Sequence, residues 1–246
     1  MTMSRAGAKG EGRLVAARAA ILAAALPDAR IHGWMDAVMQ RAIAATGVDA
    51  PLAARAFPRG ARSLVEEFHR AADRNMAAAL RQHDLPETRT GQRIALAVRL
   101  RIEAMADASA PRGAERVSAR RAVALLALPE NAVVAAGALA RTSDAIWRAV
   151  GDRSVDFSWY TKRASLGAIY AATTLVWLQD ESDGAAETWS FLGRRLKDIA
   201  TFGATKARAL GVALTPFSRG LGPEGPPTRW IGWRGIPSAW LRPSGR

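Results

Sequence analysis

Asp156, Trp159, Tyr160 and Arg163 are separated by three, four and seven residues, so on a helix they share one face within two turns. An acid, an indole, a phenol and a guanidinium grouped in this way suit the anchoring of a partner protein better than bond-making chemistry. A solvated face with a cation–π pair between Trp159 and Arg163 explains the same residues. Asp156 can cap the helix or sit in its first turn, where its charge meets unpaired backbone amides. After Arg163 no charge occurs until Asp180. In that interval Leu166, Ile169, Tyr170, Val176 and Trp177 are candidates to line an apolar hollow, and ordinary core packing accounts for them equally. A helix so poor in charge is expected to be buried nearly all round.

Bond-making groups are scarce elsewhere. The chain of 246 residues has no cysteine, which excludes disulfides, thiolate metal sites and cysteine nucleophiles. Its histidines are His32, His69 and His83, and they show no metal-ligand spacing. His69, next to Phe68, reads as a satisfied surface histidine. The paired Glu-x-x-His motifs of a di-iron bundle are not present, nor is a phosphate-cradling Gly-x-x-x-x-Gly-Lys, a nucleophile elbow or a metalloprotease histidine pair. Asp180-Glu181-Ser182-Asp183-Gly184 is acidic, but its spacing is not that of a calcium loop, and a turn with a helix cap is expected. The expected protein is therefore non-catalytic, with no metal and no cofactor.

The elements that must position these residues are helical. Arg5 to Gly12 is broken by glycine, and residues 1–12 are expected to be a flexible leader. Leu14 to Leu26 has an apolar helical beat that Pro27-Asp28 should end. Trp34 to Ala45 carries Met35, Val38, Met39 and Ile43 on one face. Asp49 should cap, and Pro51 open, a short helix to Ala56. Longer helices are expected over Ala61 to Gln82, Thr90 to Asp107, Val117 to Leu128, Asn131 to Val150 and Ala185 to Phe202. No stretch alternates as a strand, so the fold class is all-α.

The formal charge of +13 would suit nucleic acid or an anionic membrane surface. From Gly203 onward seven lysines and arginines face the single acid Glu224, so nearly half of the excess lies there. That tail, residues 204–246, breaks helix with glycine and proline and intersperses Trp230, Trp233 and Trp240 with arginine, a pairing that favours the membrane interface. No apolar run reaches the roughly 18 residues of a spanning helix, and no export signal is expected.

Helix, glycine turn, capped short helix and the stop Phe57-Pro58-Arg59-Gly60 together resemble the N-terminal helix-turn-helix of the TetR family over residues 13–60. The would-be recognition helix offers Leu52, Ala53, Ala54, Arg55 and Ala56, with one side chain able to address DNA. A second resemblance is more specific. Gly151-Asp152, Ser154, Asp156-Phe157, Trp159-Tyr160-Thr161-Lys162-Arg163, Ile169-Tyr170, Thr173-Thr174, Leu178-Gln179-Asp180, Ser182, Thr188-Trp189, Phe191-Leu192 and Arg195 are similar to the signature of the coenzyme Q biosynthesis protein nine family, TetR-like lipid-binding accessory proteins of ubiquinone synthesis. Leu125 to Pro129, Asn131 and Asp144-Ile146-Trp147 extend the likeness.

The resemblance implies a TetR-like helical bundle whose lipid-binding domain spans residues 61–203, and a homodimer. It also implies that the protein binds an isoprenoid quinone or phospholipid at a membrane and presents it to the demethoxyubiquinone hydroxylase through Asp156, Trp159, Tyr160 and Arg163. The implied location is the bacterial cytoplasm, peripheral on the inner membrane, or alternatively the matrix side of the mitochondrial inner membrane. Ala119-Arg120 and Glu130 depart from the family pattern, and the glycine-proline tail stands where the family has an amphipathic helix. The competing reading is a TetR-type repressor whose pocket takes an apolar effector.

Overall fold

The computed structural model describes residues 5–83, 90–152 and 158–198. All regular elements among the described residues are helices. They are α1 (Arg5–His32), α2 (Asp36–Thr46), α3 (Ala50–Ala56), α4 (Ala61–Gln82), α5 (Thr90–Glu103), α6 (Val117–Leu126), α7 (Ala132–Ala149) and α8 (Ser158–Gln179), with single 3-10 turns at Pro129–Asn131 and Asp183–Ala185. A further helix, α9, covers residues 186–198. The chain forms two compact units, one from residues up to 78 with 100–142 and the other from 79–99 with the residues after 142.

In the first unit α1 packs against α2, α3 and α6. Ile21, Ala25 and Ala29 on α1 are wholly buried at steps of four, the stripe a helix needs to face a core. This explains why α1 continues through Pro27 instead of ending there. An interior proline costs about 3 kcal/mol, but Ala29 is buried beyond it and Arg30 pairs with Asp107 at 2.7 Å. The segment expected to be a leader is helical from Arg5; once the stripe is packed, each added turn propagates without a new nucleation cost.

The turns follow local chemistry. Gly47 ends α2 at φ 64, and the Asp49 carboxylate accepts from the Leu52 amide at 2.8 Å to start α3, with Pro51 in its first turn. Helix α2 starts at Asp36, later than Trp34, because Met35 is extended and the Trp34 indole turns inward, donating to the Ser118 carbonyl at 2.9 Å and lying 5.2 Å from Phe68. Asp36 also accepts from the Ala61 amide at 2.7 Å and so caps α4.

Helix α4 departs from the expected one-sided pattern. Every residue from Ser63 to His69 is buried, including Glu66, Glu67 and His69. Buried carboxylates require partners, and these are Arg59 and Arg70 for Glu66, and Arg74 at 2.6 Å for Glu67. The arginines hold their stems over the unit and their heads toward water.

In the second unit Ile146, Trp147 and Val150 of the α7 end, Leu166, Ile169, Tyr170, Trp177 and Leu178 of α8, and Trp189, Leu192 and Leu196 of α9 are buried. Helix α8 is not covered all round. Ala164, Ala168, Leu175 and Gln179 make an exposed, uncharged stripe along it.

Candidate functional site

The start of α8 is held by charge. The Arg163 guanidinium is 8% exposed; its Nε donates to Asp144 at 2.8 Å and its Nη1 lies 3.5 Å from Asp152. Asp152 also takes Lys162 at 3.2 Å, and Asp144 takes Arg148 at 2.7 Å. The Lys162 ammonium stands 5.5 Å above the Trp147 ring, while the Trp147 indole N–H donates to the Lys162 carbonyl at 3.2 Å. Three cations and two carboxylates therefore lock the entry of α8 to the end of α7.

Arg163 was expected on an exposed patch, and the structure instead buries it in this cluster, because two carboxylates in reach offset the cost of taking a guanidinium out of water. Asp156 lies outside the described residues, as do the side chains of Trp159 and Tyr160; the backbone places positions 159 and 160 in the first turn of α8. Asp144 and Asp152 were legible as motif residues but not as counter-ions, since their separations from Arg163 cross a turn between helices.

Beyond the cluster, the wall of α8 is apolar in chemistry as well as composition. Leu166, Ile169, Tyr170 and Trp177 are buried, and Val176 is half-buried. The two threonine hydroxyls in the run bond locally: Thr173 donates to the Ile169 carbonyl at 2.7 Å and Thr174 to the Tyr170 carbonyl at 2.8 Å.

At the far end of α8 the acidic run acts as a cap. One Asp180 oxygen accepts from the Ser182 amide at 2.8 Å and from its hydroxyl, and the other from the Thr188 amide at 2.8 Å and its hydroxyl. Burial pushes the Asp180 carboxyl up, but these donors outweigh it and hold it below the usual carboxylate range. The Trp189 indole donates to the Gly184 carbonyl at 2.9 Å, with Arg99 5.0 Å above its ring.

Two other candidates lie in the first unit. In α3, Ala53 and Ala56 are buried, leaving Arg55 as the polar side chain that the short helix presents. On α4, Glu66 and His69 have Glu-x-x-His spacing, but Glu66 pairs with Arg59 and Arg70, whereas His69 faces Arg101. His69 is buried, not on the surface. Arg101 is wholly buried; it pairs with Asp73 through Nε and donates from Nη2 to the His69 carbonyl at 3.1 Å. The same Nη2 lies 3.2 Å from His69 Nδ1, and Thr142 joins by donating to Asp73 at 2.8 Å. Burial first, then Arg101 and Arg141, pushes the imidazole down to about 3. A neutral ring against a guanidinium is unsuited to hold a cation, and no cluster of three metal-ligating side chains occurs among the described residues.

Known proteins match the segment built around α8. Residues 132–203 match the COQ9 family model. The ubiquinone biosynthesis protein COQ9, mitochondrial, of Homo sapiens is 42% identical over 96 residues, 38% of this chain and 30% of that protein. The Drosophila melanogaster protein of the same name is 32% identical over 196 residues, 76% of this chain and 56% of its own length. The chain is homologous to COQ9. Its match spans just under a third of the human protein and a little over half of the fly protein. A TetR transcriptional regulator from Nitrosomonas europaea superposes at a TM-score of 0.56 with 21% identity, over 73% of this chain and 95% of that one, so the fold is TetR-like. The COQ9-matched segment contains the Asp144–Asp152–Lys162–Arg163 cluster, the α8 wall and the Asp180 cap. The matched segment thus includes the scaffold that fixes the two ends of α8.

Proposed function

We propose that this chain is a non-catalytic accessory protein of ubiquinone biosynthesis that binds an isoprenoid quinone intermediate and presents it, at a membrane surface, to the demethoxyubiquinone hydroxylase. The observation that carries the reading is the α8 wall, buried, uncharged and with its threonine hydroxyls internally bonded, lying in the segment that matches COQ9. An isoprenoid tail moved from bilayer to such a wall exchanges one set of methylene contacts for another, so neither side dominates by the water-to-oil term of about 0.8 kcal/mol per CH₂. Near balance is what delivery requires, because a carrier that held its cargo too tightly would not release it.

In this reading Leu166, Ile169, Tyr170, Val176 and Trp177 contact the tail. Trp159, Tyr160 and Asp156 face the hydroxylase from a helix start that the Arg163 cluster holds still. Trp230, Trp233 and Trp240 touch the bilayer, and the protein works as a homodimer. The relatives are named as mitochondrial proteins, which supports the mitochondrial alternative, and in this reading the surface is the matrix side of the inner membrane. The bacterial inner membrane is the corresponding surface in a cell without that organelle.

Mass spectrometry of lipid extracted from the purified protein tests the reading. It expects an isoprenoid quinone or its precursor in stoichiometric amount, and extracts free of isoprenoid from cells that make it would refute it. Trp159→Lys should keep the thermal midpoint of the parent and lose co-purification with the hydroxylase; unchanged co-purification removes the partner surface.

A further inference from the structure

The corner between α6 and α7 exposes apolar surface that neither the lipid wall nor the hydroxylase surface uses. From Ala122 to Ala140 the sequence carries one charge, Glu130. Val133 is 87% exposed and Leu128 is 42% exposed, with Ala124, Ala127, Pro129, Ala132 and Ala136 exposed around them. Helix α6 and the segment Pro129–Ala149 meet at 88°, and the exposed residues lie at and beside that bend, which makes a wedge-like corner. No single helix among the described residues is long and apolar enough to cross a membrane.

Charge flanks the wedge. Arg120 and Arg121 are exposed on α6. On α7, Arg141 lies eight residues past Val133, and its Nη1 would stand 3.3 Å from a Cβ built on Gly137, so the guanidinium folds back a turn toward the wedge. Arg141 has Arg70, Glu66, Asp73 and Arg59 as charged neighbours. Glu66 is shared by Arg59 and Arg70, Glu67 pairs with Arg74 and Asp73 with Arg101, so with Arg141 five arginines face three carboxylates and the group has an excess of positive charge. An aliphatic tip with guanidinium groups about one or two helical turns behind it matches the roughly 5–10 Å between shallow acyl chains and lipid phosphates. Protein interfaces favour aromatic anchors and are depleted in alanine, and this surface is alanine, valine, leucine and proline.

We propose that the α6–α7 corner is a bilayer contact separate from the tryptophan tail, in which Leu128 and Val133 enter the headgroup region of an anionic membrane while Arg141, with Arg70 and Arg59, takes lipid phosphates. Glu130 sits between the two inserted side chains, and its charge keeps the contact shallow. The proposal does not depend on the quinone-presenting reading, since a protein with no quinone pocket could dock in the same way.

Sedimentation of the full chain with vesicles of phosphatidylcholine alone, or with about a third phosphatidylglycerol, tests it. Leu128→Ser combined with Val133→Ser should weaken partition at least tenfold on the anionic vesicles, with circular dichroism unchanged because both residues are exposed. One charge near such a surface shifts partition by roughly fivefold, so Arg141→Gln should lose about that factor on anionic vesicles and little on neutral ones. Glu130→Gln should gain a comparable factor. All three effects should persist when Trp230, Trp233 and Trp240 are changed to alanine. Vesicle binding unaltered by the Leu128/Val133 double substitution would overturn the proposal, as would a Glu130→Gln variant that binds no better, the result expected if another protein covers the wedge.

Discussion

Acidification should destabilise the first unit through His69, by an amount the structure sets. The imidazole titrates ordinarily near 6.5 and is pushed down to about 3 in the fold, by burial first and then by Arg101 and Arg141. Asp73 and Thr142 complete the polar surroundings, and both are engaged with each other and with Arg101. In the unfolded chain His69 takes up a proton as the pH falls through 6.5, while the folded chain does not until about 3. The unfolded state therefore binds more protons across that window. Stability is flat above the ordinary histidine range and falls as the pH drops below it. At about 1.36 kcal/mol per pH unit, the loss between pH 7.5 and 5 comes to about 2 kcal/mol, before carboxylate protonation contributes. Urea unfolding followed by circular dichroism at pH 7.5, 6 and 5 measures this for the parent and for His69→Gln, whose amide oxygen can still accept from Arg101. The parent should lose about 2 kcal/mol and the variant less than half of that. An equal pH slope in both, or a parent that gains stability in acid, would refute the reasoning.

Other perturbations have comparable size. Gly60→Ala should cost about 2–3 kcal/mol in urea unfolding: Gly60 has φ 59 and its new Cβ would collide with Asp36 Oδ1, adding the left-handed penalty to the loss of the α4 cap. Asp144→Ala should lower stability by about 3 kcal/mol because it strips a buried guanidinium of its nearest carboxylate; proteolysis at the start of α8 reports it. Asp180→Ala removes the acceptor of four donors, costs about 2–4 kcal/mol, and should speed amide exchange in residues 183–198. Thr173→Val, by contrast, should change stability by only about 1 kcal/mol and leave quinone retention intact, since the hydroxyl bonds to a carbonyl of its own helix turn.

Local chemistry was legible in the residues themselves. Gly47, Asp49 and Pro51 announce the α2–α3 turn, Gly60 marks the start of α4, and the Asp180 run announces a cap, because each involves partners within a few residues. The uncharged run of α8 was equally readable, but its exposed stripe at Ala164, Ala168, Leu175 and Gln179 was not. The sequence determined on its own the all-helical class, most helix positions, the uncharged run and the likeness to a ubiquinone-synthesis family. Only tertiary structure decided that Pro27 would be carried inside α1, that Glu66, Glu67 and His69 would be buried, and that Arg163 would be consumed by Asp144 and Asp152. The reason is range: capping and periodicity act over about four residues along one helix, whereas the cost of burying a charge is settled by counter-ions that arrive from other helices, at distances in sequence where spacing carries no signal.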